Sequence, residues 1–229
     1  MADFDAFIFD VDGTLLDTLP DLTAVTNATL ESYGFPPHSQ QEILGYVGGG
    51  GRRLIELAVP EGTDAATMDA AFELWKRIHA VQGIRLTKEY KGITEALSAL
   101  RAQGVKLAAL SNKFDEGVQE LIPRYFPGLF EVMHGECEAI PRKPNPAGLK
   151  KTMEELGVTP ERTVYVGDSR GDMAVAHAAG TFALGVSWGY QSVEQLEDGG
   201  ADLIIDTPAR MVDLLNEGAH TVKDDIVKN

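Results

Sequence analysis

Short apolar runs alternate along the chain with segments in which apolar residues recur every three or four positions. The runs are apolar at successive positions, as in parallel strands that helices cover on both faces. They predict six strands, at 6–9, 105–111, 130–135, 163–167, 182–187 and 202–206. The regular alternation of strands and helices predicts an α/β fold with a doubly wound parallel sheet.

The helical segments carry start and stop signals of their own. The stretch ITEALSALRAQG places Ile93, Leu97 and Leu100 on one face and ends at Gly104. In NPAGLKKTMEELG, an asparagine cap and a proline open the helix and a glycine ends it. The polar last ten residues, HTVKDDIVKN, are predicted to form a frayed tail.

One long segment has helical periodicity and no predicted strand. The sequence therefore predicts an all-helical domain over 17–85, inserted into a core domain made of 1–16 and 86–229. Within it, Trp75 and His79 are expected to pack in the interior of the helical domain. The residues at helical spacing are Leu19, Leu22, Val25 or Thr26, Leu30, Tyr33, Met68, Ala71, Phe72, Trp75, Ile78 and His79.

Charge and composition narrow the choice of partners. The 229 residues carry a formal net charge of −15, which argues against nucleic acid and anionic membranes because both are negatively charged. The opening MADFDAFIF has no basic region and no stretch is long enough to span a membrane, so we expect a cytoplasmic protein, either a monomer or a homodimer. Cys137 is the single cysteine, which fits a reducing compartment, and it is expected to be a small buried residue.

Polar residues cluster at or beside the carboxyl ends of the predicted strands, where open parallel sheets bind their ligands. One further member of this set, Lys143, stands just before a predicted helix. The fold topology can bring these clusters to one crevice. Their residues are Asp10, Asp12, Ser111, Asn112, Lys113, Lys143, Asp168 and Asp172.

The residue types in these clusters indicate phosphoryl transfer. Asp10 and Asp168 are hard oxygen ligands that suit Mg²⁺, and the metal offsets the repulsion between a carboxylate and a phosphate. A carboxylate can then act as the nucleophile and form an aspartyl-phosphate, while Asp12 can act as general acid and base. Gly13 can let the backbone come close to the phosphate oxygens. The Ser111 hydroxyl and the Lys143 ammonium can stabilise the charge on the transferring group.

Four motifs, FDVDGTLLDT, LSNK, PRKPNP and VGDSRGD, occur in this order across nearly the whole chain. They resemble the four motifs of the haloacid dehalogenase superfamily, and the helical segment after the first motif is similar to the helical cap of that superfamily. The stretch 17–55 looks like the start of the cap in phosphoglycolate phosphatases. The resemblance implies a Mg²⁺-dependent phosphatase for a small phosphate monoester, with phosphoglycolate as the leading substrate.

The resemblance also implies a role for each matching residue. Asp10 would be the nucleophile and a metal ligand, and Asp12 would be the acid and base, with its backbone carbonyl on the metal. Asp168 would complete the metal site, and Asp172 would position the waters of the metal or Lys143. Ser111 and Lys143 would hold the substrate phosphate, and Asn112 is predicted to bind the substrate beside them.

The stretch VGGGGRRLI, at 47–55, is the candidate for recognising the leaving group. Its four glycines would let a loop close over the substrate, with backbone amides at the helix start on an anion. Arg52 and Arg53 are adjacent, so at most one of them can face the cleft, and Arg52 is predicted to bind the substrate. The alternative is a flexible loop with a solvated basic face. Lys113 matches no motif position and is expected to be a surface residue.

The sequence favours this activity over several others and leaves one group of activities open. A pyrophosphatase or a nucleotide or sugar phosphatase stays open, because the core motifs handle only the phosphate. A sugar-phosphate mutase is disfavoured, since DTLPDLT lacks the basic residue that such relatives usually carry there. A hydrolytic dehalogenase is also disfavoured, because its chemistry needs neither a metal nor an acid at the position of Asp12. A catalytically silent binding protein is disfavoured because clustered acidic groups cost stability unless a ligand uses them.

Overall fold

A six-stranded parallel sheet is the centre of the fold in the computed structural model, which describes residues 4–82, 84–217 and 222. The order of its strands is β5-β4-β1-β6-β7-β8, so the chain moves outward on one side of β1 and then continues on the other side. A separate antiparallel pair consists of β2 and β3. The strands are β1 (Ala6–Phe9), β2 (Leu16–Asp17), β3 (Lys88–Glu89), β4 (Lys106–Phe114), β5 (Val132–Glu136), β6 (Thr163–Gly167), β7 (Phe182–Val186) and β8 (Leu203–Ile205).

Helices cover both faces of the sheet, because successive side chains of each strand point in opposite directions. On β1, Phe7 and Phe9 pack in one apolar cluster with helices on one face of the sheet, whereas Ala6 and Ile8 pack in a second cluster with helices on the other face. These layers confirm the predicted doubly wound α/β core. The helices of the core are α5 (Ile93–Ala102), α6 (Asp115–Tyr125), α7 (Ala147–Leu156), α8 (Arg170–Ala179), α9 (Val193–Asp198) and α10 (Arg210–Glu217).

In its described residues, the segment between β2 and β3 contains four helices and its own apolar cluster. Trp75 belongs to that cluster, and its indole Nε1 donates a hydrogen bond to Thr26 Oγ1 at 3.1 Å. The division of the chain into domains at 17 and 85 stays a prediction. The four helices are α1 (Leu19–Ser32), α2 (Gln40–Leu44), α3 (Gly50–Ala58) and α4 (Ala65–Gln82).

Two polar side chains fix the points at which the chain enters and leaves the helical segment. The Tyr190 hydroxyl, from the loop after β7, accepts hydrogen bonds from the backbone N–H groups of Thr18 and Leu19 at 2.9 and 3.0 Å. Buried Asp21, in the first turn of α1, accepts the backbone N–H groups of Leu86 and Thr87 at 2.9 and 2.6 Å. The backbone N–H groups at both connections are therefore hydrogen-bonded to side-chain oxygens.

Several local predictions differ from the structure. Strand β4 continues to Phe114 instead of ending at 111, and α7 begins one residue after Pro146. Cys137 is exposed, because it lies in the turn that follows β5 and not under a helix. Apart from buried Val222, the predicted tail lies outside the described residues. Across the residues described, no helix combines the length and apolarity that crossing a membrane requires.

Candidate active site

The candidate site lies at the carboxyl end of β1, where the strand order reverses direction. Open α/β sheets form their ligand crevice at such a point, because the loops leave in opposite directions there. A cleft of about 590 Å³ opens between this end of the sheet and the helical segment. The core side of its lining includes Asp10, Asp12, Ser111, Asn112, Lys113, Lys143 and Asp168, and the helical side includes Leu22, Leu44, Val47, Leu54, Trp75 and His79.

Three buried carboxyl groups, those of Asp10, Asp168 and Asp172, meet at the base of the cleft, with ligand oxygens within 4.8 Å of one another. Burial, opposed by Lys143, and repulsion from Asp172 raise the pKa of Asp10 to about 6. Burial and repulsion from Asp172 and Asp10 also raise the pKa of Asp168. Asp10 Oδ1 accepts no well-aligned hydrogen bond from the described residues. A cluster of oxygen donors with excess negative charge can hold a divalent metal ion.

Gly13 allows one of these carboxyl groups to approach the first motif. Its φ is +86°, and a Cβ at this position would lie 2.2 Å from Asp168 Oδ2. Asp168 is held there by Thr14, whose Oγ1 donates to Oδ1 at 3.1 Å, and by the Tyr190 N–H, which donates to Oδ2 at 2.7 Å. A side chain at position 13 would therefore displace the Asp168 carboxylate.

Lys143 lies between two of the carboxylates. Its Nζ is 2.8 Å from Asp10 Oδ1 and donates to Asp172 Oδ1 at 2.7 Å. Although burial opposes the charged form, the carboxylates of Asp10 and Asp172 raise the pKa of Lys143 well above its usual value. Asp172 in turn completes a capping box at the start of α8, where its Oδ2 accepts from Ser169 N and Oγ. Asp172 therefore orients Lys143 as well as capping the helix.

The structure places Asp12 and Lys113 as a second charged pair in the cleft. Lys113 Nζ donates to Asp12 Oδ1 at 3.3 Å, and the Asp12 carboxylate is not part of the three-carboxylate cluster. Lys113 is only 8% exposed, so its predicted position on the surface is wrong. The reason is the longer β4, in which Ser111 and Lys113 alternate with half-exposed Asn112. Extending the period-two pattern past 111 would have placed Lys113 on the Ser111 side of the strand.

Asn112 lines the cleft, but its side-chain amide is engaged with the protein itself. Its Oδ1 accepts the backbone N–H of Lys143 at 2.7 Å, and its Nδ2 donates to the carbonyl oxygens of Gly48 and Lys143 at 2.9 and 3.3 Å. Ser111 is buried and lines the cleft beside it. Both residues therefore lie at the cleft, where Ser111 is buried and the Asn112 amide is hydrogen-bonded to Gly48 and Lys143.

Arg52 is not brought to the cleft, contrary to its predicted role. Its guanidinium pairs with Asp69 at 2.6 Å and with Glu56 at 3.3 Å, and it lies over the ring of Phe72. Helix α3 begins at Gly50 and turns Leu54 inward, which directs Arg52 away from the cleft.

The helical segment contributes other groups to the cleft instead. Gly48, Gly50 and Gly51 line it with backbone. Trp75 packs in the interior as predicted, but both Trp75 and His79 also border the cleft. Burial, with a contribution from Lys113, lowers the pKa of His79 to about 4, so this imidazole is neutral at physiological pH.

Comparison with known proteins gives consistent results. The model of the haloacid dehalogenase-like hydrolase family matches residues 7–186. A phosphoglycolate phosphatase of Pseudomonas putida is 35% identical over 205 residues, covering 87% of this chain and 75% of the relative. An N-acetylmuramic acid 6-phosphate phosphatase of Pseudomonas aeruginosa is 30% identical, covering 92% and 94%. The crystal structure of a predicted phosphoglycolate phosphatase from Haemophilus somnus superposes with a TM-score of 0.88 at 27% identity, covering 94% and 99%.

The family model covers most of the chain, including all four motifs and all residues of the six-stranded sheet except Ala6 and β8. The chain therefore belongs to the haloacid dehalogenase-like hydrolase family, as its motifs predicted.

Proposed function

We propose that this hydrolase is a Mg²⁺-dependent phosphatase that cleaves a small phosphate monoester through an aspartyl-phosphate on Asp10. The observation that carries the proposal is the placement of Asp10 in the cleft. It is a buried carboxylate in contact with a lysine ammonium, beside two further carboxylates that can share a cation. Such a site attracts a phosphate only when positive charge offsets the acidic groups.

The first half of the reaction uses Asp10 and Asp12. A carboxylate oxygen of Asp10 attacks phosphorus, and the bond from phosphorus to the leaving oxygen breaks. Asp12 gives its proton to that oxygen, so the alcohol leaves in neutral form. In the second half, Asp12 takes a proton from a water molecule that attacks the phosphorus of the aspartyl-phosphate. Inorganic phosphate is released, and the Asp10 carboxylate is restored.

The surrounding residues hold the phosphate and its charge. Mg²⁺, held by Asp10 and Asp168 when bound, supplies positive charge that offsets the repulsion between carboxylates and phosphate. Lys143 can donate to the equatorial oxygens of the transferring group from its position beside Asp10, and the Ser111 hydroxyl can donate from the end of β4. Asp172 keeps the Lys143 ammonium in place.

We infer a leaving group that carries a carboxylate, with phosphoglycolate as the leading substrate. Lys113 supports this, because its ammonium lies beside Asp12, the residue that would protonate the leaving oxygen. Lys113 thus takes the substrate-binding role that the sequence suggested for Arg52. The two relatives named above act on phosphoglycolate and on N-acetylmuramic acid 6-phosphate, which both contain a carboxylate on the leaving side. A carboxylated sugar phosphate is the second candidate, since a cleft of about 590 Å³ exceeds what glycolate fills.

Phosphate release from a panel of esters, with and without Mg²⁺, tests the proposal. We expect Mg²⁺-dependent turnover with a preference for carboxylated esters over an uncharged aryl phosphate. Lys113→Met should remove that preference by lowering kcat/KM for phosphoglycolate at least about tenfold more than for the aryl phosphate, which is about 1.4 kcal/mol. The control Arg52→Ala should change both values little. Equal losses on both substrates in Lys113→Met would refute carboxylate recognition by this lysine.

A further inference from the structure

The loop that joins α2 and α3 rests directly on the core. We call residues 47–51, which comprise the end of this loop and the first two residues of α3, the glycine loop. Its Gly51 backbone packs so closely that an added Cβ would lie 3.0 Å from the Phe114 ring, and one on Gly50 would lie 3.1 Å from Arg142 Cζ. Gly48 has a φ of +106° and turns its carbonyl oxygen toward Asn112. The helical segment is therefore docked on the core at this loop.

Asn112 is the residue through which this docking reaches the phosphate-binding region. Its Nδ2 donates to Gly48 O of the glycine loop at 2.9 Å and to Lys143 O at 3.3 Å. Its Oδ1 accepts the Lys143 N–H at 2.7 Å. A single amide plane thus contacts the glycine loop on one edge and both backbone groups of Lys143 on the other. The side chain of that same lysine reaches Asp10 and Asp172.

We propose that Asn112 is a positioning residue that couples docking of the helical segment to the placement of Lys143. This rests on the proposed function, in which Lys143 neutralises the transferring phosphoryl group. When the glycine loop is docked, Gly48 O holds the amide in the orientation that fixes Lys143. When the loop is away, the amide loses its partner and the backbone of Lys143 loses a fixed contact. The chemistry therefore runs efficiently only with the cleft closed, when bulk water is excluded and the attacking water molecule is retained.

Two substitutions separate the two edges of the amide. Asn112→Asp keeps an oxygen to accept the Lys143 N–H, but it presents a second oxygen to the Gly48 and Lys143 carbonyl groups in place of a donor. Asn112→Ala removes both contacts. The matched control is Asn145→Asp, which makes the same charge change in the same loop as Lys143, where Asn145 Oδ1 accepts only the N–H of Ala147 among the described residues.

Steady-state kinetics with Mg²⁺ and phosphoglycolate, and with the aryl phosphate, give the first readout. Both Asn112 variants should lower kcat about tenfold or more, with a change in KM below about threefold, because substrate enters the open cleft and reacts in the closed one. Asn145→Asp should stay within about twofold of the unaltered enzyme. A kcat within about twofold for both Asn112 variants would overturn the proposal.

Hydrogen exchange of the ligand-free protein gives a readout that does not depend on the activity. Asn112→Asp should speed exchange in the glycine loop and leave the Lys143 amide protected, whereas Asn112→Ala should speed both. Faster exchange throughout the chain with a large fall in Tm would instead show a merely structural role and overturn the proposal. An unchanged rate of hydrogen exchange in the glycine loop of both variants would also overturn the proposal.

The unaltered enzyme provides a third arm if a variant does not fold. Adding Mg²⁺ with orthovanadate should protect the glycine loop and the Lys143 amide together. Protection of Lys143 alone would overturn the coupling. Failure of the proposed function is distinguishable, because it would appear as absent phosphate release by the unaltered enzyme while the exchange pattern of the ligand-free variants still tests the contact.

Discussion

Replacing Asp10 by asparagine is expected to abolish turnover and, at the same time, to stabilise the metal-free protein. The amide keeps the shape of the side chain but cannot attack phosphorus. It also removes one of three buried carboxylates that lie within 4.8 Å of one another. The Asp10 carboxylate is thus predicted to lower the free energy of unfolding when no metal ion is bound.

The size of the effect follows from the pKa of Asp10, which rises from 3.8 to about 6, mainly through burial. One pKa unit corresponds to about 1.4 kcal/mol, so the ionised side chain costs about 3 kcal/mol at pH 7 and about 1.5 kcal/mol at pH 5. Because the pKa is higher in the folded state, the penalty is absent below about pH 4 and is complete above about pH 6. The pKa of about 6 already includes the attraction of the Lys143 ammonium, which by itself lowers the pKa of Asp10.

Urea unfolding between pH 5 and 8, followed by tryptophan fluorescence in a chelator, is the assay for this prediction. The free energy of unfolding of Asp10→Asn should exceed that of the unaltered protein by about 1–3 kcal/mol at pH 7, and the gap should narrow toward pH 5. In thermal unfolding this is a rise of several degrees. Mg²⁺ should close the gap by stabilising the unaltered protein more than the variant.

The exposed Asp198, paired with Arg170 on the surface, is the matched control. Asp198→Asn should change the free energy of unfolding by less than about 1 kcal/mol, with little dependence on pH. A lower stability of Asp10→Asn at pH 7, or a gap that widens toward pH 5, would refute the account of the carboxylate cluster.

Two further substitutions test the groups around Asp10. Asp12→Asn should lower kcat by about 10²–10⁴-fold through loss of proton transfer, with an unaltered far-UV spectrum as the check on folding; a loss of less than about tenfold would exclude Asp12 as the acid. Gly13→Ala should weaken Mg²⁺ binding, measured by titration calorimetry, because its Cβ would meet Asp168 Oδ2 at 2.2 Å and its φ is +86°. Unchanged Mg²⁺ affinity in that variant would show that Asp168 is not a ligand.

Much of the fold could be predicted from sequence, because strands buried on both faces leave a clear local pattern. The run AFIF and its following aspartates predicted β1 and the position of Asp10 at its carboxyl end, and both agree with the structure. The Asp172 side chain was also foreseeable as part of a helix start, since Ser169 precedes it by three residues. These features depend on neighbours in the chain.

The directions of single side chains around the cleft could not be predicted in the same way. Arg52 points away because Leu54 and the rest of α3 pack inward on α4 and β4, which is a tertiary contact. Lys113 points inward because β4 runs three residues longer than its apolar run. The link from Asn112 to Gly48 joins residues 64 positions apart, and no local pattern encodes it.

Trapping the phosphorylated enzyme would show whether Asp10 acts as the nucleophile. Enzyme with Mg²⁺ and phosphoglycolate is quenched in acid during turnover, and the digested peptides are mapped by mass spectrometry. Covalent catalysis predicts a phosphoryl group on Asp10 of the unaltered enzyme, and this group should be absent from Asp10→Asn. Turnover with no phosphoryl group on any peptide, or with the group on another residue, would contradict it.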